Sequence, residues 1–256
     1  MENSERTVVV IGGSTGIGLE LMKYYLSLGF KVLLIGRSQP LLDNKYSNLL
    51  FFKVDFEYGA ENRTSDLIDL IRGKGIYLID YFFLNSGVFC DRMRKMSTTP
   101  LEEMNKMMNV NVFSHKWVLD TFIESNVEIK HCVASSSIAG VRAREGNGGY
   151  AITKSAFNML LKIYALEHKK FFFSVLGLCV VDTYLGQKIA NMPMDVKFEE
   201  QIKLRERARD SKYWTSAKSR VEQIAILLEK GPEKYLNSGD FKEIREVLKD
   251  GSFEFC

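Results

Sequence analysis

Short apolar runs alternate with amphipathic stretches along the first two thirds of the chain. The runs are rich in Val, Ile, Leu and Phe, and they cover residues 7–12, 31–36, 49–55, 78–85, 129–136 and 171–178. Their near-continuous apolar character is typical of strands that are buried on both faces of a sheet. Between them, apolar residues recur at helical spacing, which predicts helices over residues 16–28, 61–72 and 101–125 and from about Tyr150 onward.

This alternation of strands and helices predicts the fold class. We expect an α/β structure of the Rossmann type, a doubly wound parallel sheet with right-handed crossovers and helices on both faces, in three α/β/α layers. No linker and no break in composition divides the sequence, so we interpret residues 1–256 as a single domain.

The pattern changes after Asp182, where residues 199–212 form the mixed-charge stretch EEQIKLRERARDSK. Most such stretches are solvated helix faces. In a doubly wound sheet, however, the segment after the sixth strand lies near the carboxyl ends of the strands, where ligands bind. We therefore predict that residues 184–215 form a substrate loop or lid.

Composition and charge limit the classes of partner. Hydrophobic residues make up 46% of the 256 residues, and the net charge of +3 is too small to indicate nucleic-acid binding. The longest apolar run, residues 171–181, is too short to cross a bilayer of roughly 30 Å and is interpreted as a buried strand, so no transmembrane segment is expected. The charged residues before the first apolar run do not fit a secretory signal.

Cysteine and histidine spacing indicates a reduced protein without a metal site. The three histidines have no metal-ligand spacing, and none is predicted to be catalytic. Four cysteines are scattered along the chain without a CxxC pair: Cys90, Cys132, Cys179 and Cys256. We therefore expect no bound metal and a cytoplasmic location, where thiols stay reduced.

A glycine-rich turn joins the first predicted strand to the first predicted helix. Gly12, Gly16 and Gly18 allow the backbone to approach a pyrophosphate, whose charge would meet the N-terminus of the helix. Because no Gly-Lys-Ser/Thr follows, a nucleoside-triphosphate P-loop is disfavoured. An ordinary turn without a ligand is the alternative, but the position between strand and helix favours dinucleotide binding.

The residue after the second strand indicates which dinucleotide is bound. An acidic residue there would hold a ribose 2′-hydroxyl, whereas this chain has Arg37, whose guanidinium suits a 2′-phosphate. The sequence therefore predicts NADP(H) rather than NAD(H). The alternative is that Arg37 only faces solvent.

Tyr150 and Lys154 are four residues apart on a predicted helix, so they share one of its faces. A nearby cation favours the phenolate and would lower the pKa of the tyrosine toward the working range of a proton donor or acceptor. Ser137 precedes this pair at the end of the fifth predicted strand, at the edge of the sheet where ligands bind. An isolated pair would be incidental, but with Ser137 the three residues form a candidate site for proton chemistry.

These motifs, in this order, resemble the short-chain dehydrogenase/reductase family in its compact single-domain branch. The resemblance covers about residues 6 to 183. It implies four catalytic residues: Asn111, Ser137, Tyr150 and Lys154. The candidate cofactor contacts combine Arg37, proposed above from its charge, with the residues that the resemblance implies. They are Gly12, Ser14, Thr15, Gly16, Ile17, Gly18, Arg37, Asp55, Asn85, Tyr150, Lys154 and Thr183. Asn109 is the adjacent alternative to Asn111.

The resemblance also implies a mechanism and a quaternary structure. A hydride would pass between the nicotinamide and a carbonyl or alcohol carbon, and Tyr150 would give or take the proton. Lys154 would lower the pKa of Tyr150 and hold the cofactor ribose. Ser137 would orient the oxygen of a small-molecule carbonyl or alcohol substrate, and Asn111 would anchor a water linked to Lys154. Family pairing through the helices that contain Asn111 and Tyr150 implies a homodimer or a homotetramer.

The chain departs from the family pattern after the sixth strand, where Leu178 and Cys179 replace Pro-Gly. The function we predict is an NADP(H)-dependent oxidoreductase that acts mainly as a reductase. The main alternative, which this departure supports, is a catalytically weak nucleotide-binding sensor or scaffold on the same fold. A nucleotide-sugar epimerase is less favoured, because that branch uses Gly-x-x-Gly-x-x-Gly and usually a longer chain.

Two further features of the sequence have open interpretations. The loop at residues 90–97 carries Arg92, Arg94 and Lys95, which either are solvated or attract an acidic substrate or a phosphate. Methionines cluster around the start of the helix that begins at residue 101, where they are typical of core or interface filler, although methionine-rich surfaces also adapt to apolar partners.

Overall fold

The computed structural model describes residues 6–42 and 46–250, and a parallel β-sheet forms its centre. The strands of this sheet are β1 (Thr7–Ile11), β2 (Lys31–Gly36), β3 (Leu49–Lys53), β4 (Leu78–Leu84), β5 (Glu128–Ser136), β6 (Phe172–Gly177) and β9 (Phe241–Glu243). Their order across the sheet is β3-β2-β1-β4-β5-β6-β9. Every neighbouring pair in it is parallel. Two short strands, β7 (Val181–Asp182) and β8 (Thr215–Ser216), form a separate pair.

Helices connect the strands. The described α-helices are α1 (Gly16–Ser27), α2 (Thr64–Gly73), α3 (Leu101–Met108), α4 (Ser114–Glu124), α5 (Gly148–Glu167), α6 (Tyr184–Ala190), α7 (Glu199–Arg207), α8 (Ala217–Glu229) and α9 (Ile244–Asp250). A π-helical turn, Asn109–Phe113, joins α3 to α4. None of these helices is long and apolar enough to span a membrane.

The strands send their side chains into two hydrophobic cores, one on each face of the sheet. In β1, Val9 and Ile11 pack into one core and Val8 and Val10 into the other, because successive side chains of a strand point to opposite faces. Helices α2, α4 and α5 cover the first face, and α1, α8 and α9 cover the second. The predicted fold class, a doubly wound α/β/α sheet, is therefore confirmed.

The six predicted strands are present, and their ends lie within two residues of the predicted ones. Other predictions were incomplete or wrong. The sequence did not predict the short strands β7 and β8, which pair with each other, or β9, which has three residues and pairs with β6 at the edge of the sheet. The predicted helix over residues 101–125 is divided by the π-helical turn. The apolar run 171–181 is not one strand, since β6 ends at Gly177 and Cys179 adopts a left-handed conformation with φ +59°.

The order of the strands reverses between β1 and β4. From β1 the chain continues to β2 and β3 on one side, whereas β4 lies on the other side of β1. In doubly wound sheets the carboxyl ends of the strands form a ligand-binding crevice at such a point. Ile11 and Leu84 are paired at the ends of these two strands. The loops that follow them, the glycine turn and the loop beginning at Asn85, therefore start side by side.

Candidate active site

The glycine turn is closely packed at the start of α1. Gly16 has φ +58°, which favours glycine, and a Cβ on Gly18 would lie 2.0 Å from the carbonyl oxygen of Gly12. The N-cap residue Thr15 makes no side-chain hydrogen bond to the first turn of α1. The N–H groups of that turn are therefore available to an anion, and the turn fits the pyrophosphate of a dinucleotide. Six predicted cofactor contacts lie together here: Gly12, Ser14, Thr15, Gly16, Ile17 and Gly18.

Asn85 ties the glycine turn to the next two strands. Its Nδ2 donates a hydrogen bond of 2.7 Å to the carbonyl oxygen of Gly12. Its Oδ1 accepts a hydrogen bond of 2.9 Å from the hydroxyl of Ser135, at the end of β5. One amide side chain thus links the carboxyl ends of β1, β4 and β5 and holds the turn in register with the strands that carry the other candidate residues.

Arg37 and Asp55 lie at the carboxyl ends of β2 and β3. Arg37 directly follows β2, and its side chain is exposed. The preceding residue, Gly36, lies next to the backbone of Gly12, so Arg37 emerges beside the glycine turn. Asp55 is partly buried, and its Oδ1 accepts a hydrogen bond of 3.0 Å from the backbone of Glu57. The two side chains therefore lie at the same edge of the sheet as the glycine turn.

Tyr150 lies in the first turn of α5, close to Ser137, which follows β5. The Oγ of Ser137 accepts a hydrogen bond of 3.2 Å from the backbone of Ala139, and the Ser137 side chain also hydrogen-bonds the phenol of Tyr150. Part of the tyrosine side chain is exposed, but its hydroxyl end is surrounded by protein atoms. This burial raises the pKa of Tyr150 to about 12, and the hydrogen bond with Ser137 opposes the rise.

Lys154 lies one turn of helix after Tyr150 and is 3% exposed. Its Nζ donates a hydrogen bond of 2.9 Å to the carbonyl oxygen of Ser135 and is 5.7 Å from the ring centroid of Tyr150. Burial lowers the pKa of Lys154 to about 8. The sequence analysis predicted that Lys154 would lower the pKa of Tyr150, but the shift has the opposite direction, because burial outweighs the other influences on the phenol.

The buried ammonium of Lys154 makes the stability of the protein depend on pH. The pKa of Lys154 is lowered in the folded state, from about 10.4 in the unfolded chain. Below pH 8 the buried charge therefore lowers the free energy of unfolding by its full amount, and this loss of stability disappears as the pH rises toward 10.4. We expect Lys154→Met to raise the free energy of unfolding at pH 7 by about 2 kcal/mol, after the lost hydrogen bond to Ser135 is subtracted. This gain should shrink between pH 8 and 10.4. Urea unfolding across this range measures it, with the exposed Lys203→Met as control; a gain independent of pH would contradict the prediction.

Asn111 lies in the π-helical turn, where its side chain is fully buried. Its Oδ1 accepts a hydrogen bond of 2.7 Å from the backbone N–H of Val88, and its Nδ2 donates to the carbonyl oxygen of Val88 and to Thr153 Oγ1. A Cβ on Gly87 would lie 3.7 Å from Asn111 Oδ1 and 3.9 Å from Lys154 Nζ, so these two side chains flank the same glycine. The alternative asparagine points elsewhere, since its Nδ2 lies 3.4 Å from the carbonyl oxygen of Glu57.

Thr183 and Cys179 belong to the chain after β6. Thr183 caps α6 by accepting a hydrogen bond of 3.1 Å from Gly186, and its methyl group faces Gly16 of the glycine turn. Cys179 occupies the position where the family pattern has glycine, and its left-handed backbone costs a non-glycine residue roughly 1–2 kcal/mol. Its thiol accepts a hydrogen bond of 3.0 Å from Nε of Arg245. The turn thus keeps a glycine-like shape without a glycine.

The structure adds His115 on α4, which was not predicted to lie at the site. His115 is fully buried, and its Nε2 is 3.0 Å from the carbonyl oxygen of Ser86. Its ring packs against Phe157 with 4.7 Å between centroids. Burial, and secondarily the charge of Lys154, lowers the pKa of His115 to about 3, so the imidazole is neutral. No pattern in the sequence indicates that it lies near Lys154, because His115 on α4 and Lys154 on α5 are brought together only in the folded protein.

The basic loop after β4 is not free to bind an anion with its arginines. Arg92 pairs with Asp195 at 2.9 Å, and Arg94 pairs with Glu103 at 3.3 Å. Backbone hydrogen bonds also join this loop to the chain after α6: Met93 donates to Pro193 at 2.8 Å, and Asp195 donates to Met93 at 2.9 Å. These contacts join the loop to residues 193–195, after α6.

Comparison with known proteins gives the same family at the level of sequence. A family model described as short chain dehydrogenase matches residues 6–194. The chain is 27% identical over 184 residues to a sorbitol-6-phosphate 2-dehydrogenase of Klebsiella pneumoniae, covering 68% of this chain and 67% of that protein. It is 24% identical over 177 residues to an uncharacterized oxidoreductase of Listeria monocytogenes, covering 65% and 69% of the two chains.

Solved structures share the fold. A short chain dehydrogenase/reductase of Saccharomyces cerevisiae superposes with a TM-score of 0.76 at 20% identity, covering 95% of this chain and 98% of that one. An alcohol dehydrogenase of Thermococcus sibiricus complexed with 5-hydroxy-NADP has a TM-score of 0.67 at 20% identity, with coverages of 94% and 96%. A 4-hydroxyisoleucine dehydrogenase complexed with NADH has a TM-score of 0.72 at 17% identity, with coverages of 93% and 96%. From its motifs, its fold and the family model that spans most of its length, the chain belongs to the short-chain dehydrogenase family of oxidoreductases.

Proposed function

We propose that the protein is an NADP(H)-dependent oxidoreductase that interconverts a carbonyl and an alcohol, with Tyr150 as the acid/base. The observation that carries this proposal is the meeting of Ser137, Tyr150 and Lys154 at the carboxyl edge of the sheet. Asn85 hydrogen-bonds both the glycine turn and Ser135, whose carbonyl accepts from Lys154, so the proton-transfer group and the dinucleotide cradle are parts of one network.

The side chains of the site have distinct roles in this proposal. Ser137 orients the substrate oxygen, and Tyr150 gives its phenolic proton to that oxygen in reduction or takes a proton from it in oxidation. Lys154 supplies a positive charge near the phenol and holds the cofactor ribose. The nicotinamide, when bound, supplies or accepts the hydride. Asn111 holds the loop after β4 through Val88 and, we propose, anchors a water next to Lys154.

The electrostatics favour reduction as the working direction. With the pKa of Tyr150 at about 12, the phenol is protonated at neutral pH and is ready to donate its proton to a nascent alkoxide. Oxidation needs the phenolate, which burial disfavours even with Lys154 nearby. We therefore propose that the protein acts mainly as a carbonyl reductase near neutral pH.

Other residues are assigned to the cofactor. We propose that Arg37 binds the 2′-phosphate of NADP(H), since it is exposed beside the glycine turn. Asp55 lies at the end of the neighbouring strand and would contact the adenine. Thr183 faces Gly16 and would contact the carboxamide of the nicotinamide.

A catalytically weak sensor or scaffold is the second candidate, and one observation supports it. Leu178 and Cys179 replace the Pro-Gly of the family pattern shortly before Thr183, and the left-handed conformation that preserves the turn is strained for the non-glycine residue Cys179. A displaced turn would alter the position of the carboxamide contact, and a small misplacement in an active site is sufficient to slow the chemistry. A protein of this kind would bind the cofactor but would turn over substrate slowly or not at all.

Consumption of NADPH across a panel of ketones, aldehydes, quinones and ketoacyl thioesters tests the proposal. An oxidoreductase consumes NADPH with at least one class, and isothermal titration shows tighter binding of NADPH than of NADH. Binding of NADPH without consumption in any class would favour the sensor. Equal affinities for the two cofactors would overturn the proposed preference for NADP(H).

We also propose that residues 1–256 form one domain, with residues 184–215 as a lid. The contacts of Met93 with Pro193 and Asp195 support the lid, since residues of the chain after α6 pack in the same apolar cluster as Tyr150. A cytoplasmic location is supported by the free thiols of Cys90, Cys132 and Cys179; Cys256 lies outside the described residues.

A stripe of exposed apolar side chains on α5 supports a homodimer, or a homotetramer that contains it. Ile152, Met159, Ile163 and Leu166 lie on one face of the helix and are 45%, 58%, 44% and 67% exposed. Phe113, beside the start of α4, is 52% exposed. Apolar side chains grouped in this way on a surface mark a protein interface, and a second copy would cover them with an identical stripe.

Placing a carboxylate in this stripe should dissociate the oligomer. We expect Ile163→Glu to weaken self-association at least about 100-fold, because the charge would be buried without a partner. Sedimentation velocity measures the change. The control is Leu28→Glu, at an equally exposed apolar position at the end of α1. A parent protein that sediments as a monomer would contradict the proposed oligomer.

A further inference from the structure

A cluster of apolar side chains surrounds Tyr150, and we call it the methionine cluster. Its buried members are Phe89, Cys90, Met93, Met107, Met192 and Phe198. Its partly buried members are Val88, Tyr150, Leu185, Ile189 and Met194. The loop after β4 and helix α3 supply one side, and residues 185–198 supply the other. The side chains that meet at Tyr150 thus come from segments that are about 100 residues apart in the chain.

The phenol of Tyr150 lies at one boundary of the methionine cluster. Its ring packs against Phe89 with 4.7 Å between centroids, and its hydroxyl end meets Ser137. A substrate oxygen held by Ser137 and Tyr150 must therefore belong to a carbon whose substituents extend along Phe89 and into the cluster. The chemistry of the cluster decides which substituents fit.

The charged side chains next to the cluster are engaged with one another. The ion pairs are Arg92–Asp195 at 2.9 Å, Arg94–Glu103 at 3.3 Å and Lys188–Asp91 at 3.3 Å. Arg205 also reaches the cluster, where its Nη2 donates to the carbonyl oxygen of Met192 and lies 3.7 Å from Met93 Sδ. Arg205 lines a separate cavity of about 590 Å³, whose lining shares no residue with the methionine cluster. A sugar phosphate at Tyr150 would find the cations of these three ion pairs already committed, while Arg205 lines the separate cavity.

We infer, on the basis of the proposed function, that the substrate is an apolar carbonyl compound or the corresponding alcohol, with hydrocarbon substituents. Methionine side chains are flexible and polarizable, so they can rearrange around alkyl or aryl groups of different shape. Hydroxyl groups placed among them lose their hydrogen bonds to water without replacement. The substrate class therefore differs from the polyol phosphate in the name of the Klebsiella relative.

Entry of the substrate requires the two sides of the cluster to separate. The backbone hydrogen bonds of Met93 with Pro193 and Asp195 join the sides, and the Arg92–Asp195 and Lys188–Asp91 pairs flank them. Exposed ion pairs of this kind contribute little stability, so opening breaks few strong contacts. The apolar side chains that then become accessible are the surface on which a hydrocarbon substituent binds.

This inference is tested by comparing the oxidation rates of alcohols that share a carbon skeleton and differ in their polar groups. With saturating NADP⁺, we expect kcat/KM for 2-hexanol to exceed that for sorbitol and for sorbitol 6-phosphate at least about 100-fold, because several hydroxyls would be buried without partners. Greater activity with sorbitol or its phosphate would overturn the apolar substrate class and leave the oxidoreductase function intact.

Binding distinguishes failure of this inference from failure of the proposed function. If no alcohol is oxidised, saturation-transfer NMR on the complex with NADP⁺ decides between them. Transfer to 2-hexanol and none to sorbitol supports the apolar site and contradicts the proposed oxidoreductase. Transfer to sorbitol and none to 2-hexanol overturns the substrate class.

A polar substitution in the cluster supplies the second test. We expect Ile189→Asn to lower kcat/KM for 2-hexanol about tenfold, since one apolar contact with the substrate is lost. Val196→Asn is the matched control, because Val196 is 43% exposed in the same segment and lies outside the cluster. The affinity for NADPH checks that both variants are folded. If the two variants have equal kcat/KM for 2-hexanol, residues 185–198 do not form the binding surface.

Discussion

Replacing Tyr150 with phenylalanine is expected to lower kcat/KM for any active carbonyl substrate by a factor of about 10³, within the range that general acids contribute. The substitution removes only the hydroxyl, which carries the transferred proton, and keeps the ring that packs against Phe89. The hydroxyl hydrogen-bonds Ser137 and is protonated at neutral pH, because burial raises the pKa of Tyr150. Steady-state rates of NADPH oxidation, with the carbonyl substrate varied, measure the effect.

Two further measurements separate a chemical role for Tyr150 from a structural one. The affinity for NADPH should change less than about tenfold, because a single hydrogen bond to the ribose is the most that the hydroxyl contributes to binding. Tyr77→Phe, at a tyrosine that is 72% exposed, should have the activity of the parent. Equal rates for Tyr150→Phe and the parent on every active substrate would contradict the assignment of the tyrosine.

The second large effect is expected at Arg37. Arg37→Glu should weaken binding of NADPH at least about 100-fold, since an arginine–phosphate pair is lost and a like charge replaces it. Binding of NADH should be unchanged or improved, because a carboxylate at the end of β2 suits a ribose 2′-hydroxyl. The preference for NADPH over NADH should therefore be reversed. Titration of the parent and of Arg37→Glu with NADPH and with NADH gives the ratio of the two affinities for each protein.

Arg72→Glu is the control for Arg37→Glu, because it makes the same change of charge at an exposed arginine on α2. It separates a local contact with the 2′-phosphate from a change in the overall field of the protein. If Arg72→Glu weakens NADPH binding as strongly as Arg37→Glu, the effect is not local. If Arg37→Glu leaves the preference unchanged, the end of β2 does not determine which cofactor is bound.

The sequence was sufficient to predict the sheet and its central strands because their signal is local. In runs such as residues 31–36, the positions that are buried on the two faces of the sheet are apolar. The structure has β2 over the same residues. The short edge strand β9 has no such run, since Phe241 and its two neighbours are only partly buried. Its pairing with β6 depends on the fold of the whole chain.

The candidate site shows the same division between local and tertiary information. The four-residue spacing of Tyr150 and Lys154 predicts a shared helix face, but it carries no information on how deeply the phenol and the ammonium are buried. Burial sets both pKa shifts, so the predicted lowering for Tyr150 was wrong in direction. The contact of Phe89 with Tyr150 was missed as well, because it depends on how the loop after β4 folds over α5.

The departures from the family pattern also needed the structure for their interpretation. The sequence shows a cysteine where glycine is expected, and the structure shows that Cys179 adopts the left-handed conformation of a glycine. The hydrogen bond from Arg245 to its thiol comes from the far end of the chain and has no counterpart in any local motif. The turn before Thr183 is thus preserved by different residues.

Transfer of deuterium from the cofactor tests the central claim most directly. The protein is incubated with NADPH deuterated at both C4 positions and with the panel of ketones and aldehydes, including 2-hexanone, and the products are analysed by mass spectrometry. We expect an alcohol that carries one deuterium on the former carbonyl carbon, and formation of this product about 10³-fold slower with Tyr150→Phe. Tight binding of NADPH without a deuterated alcohol from any member of the panel would contradict the claim.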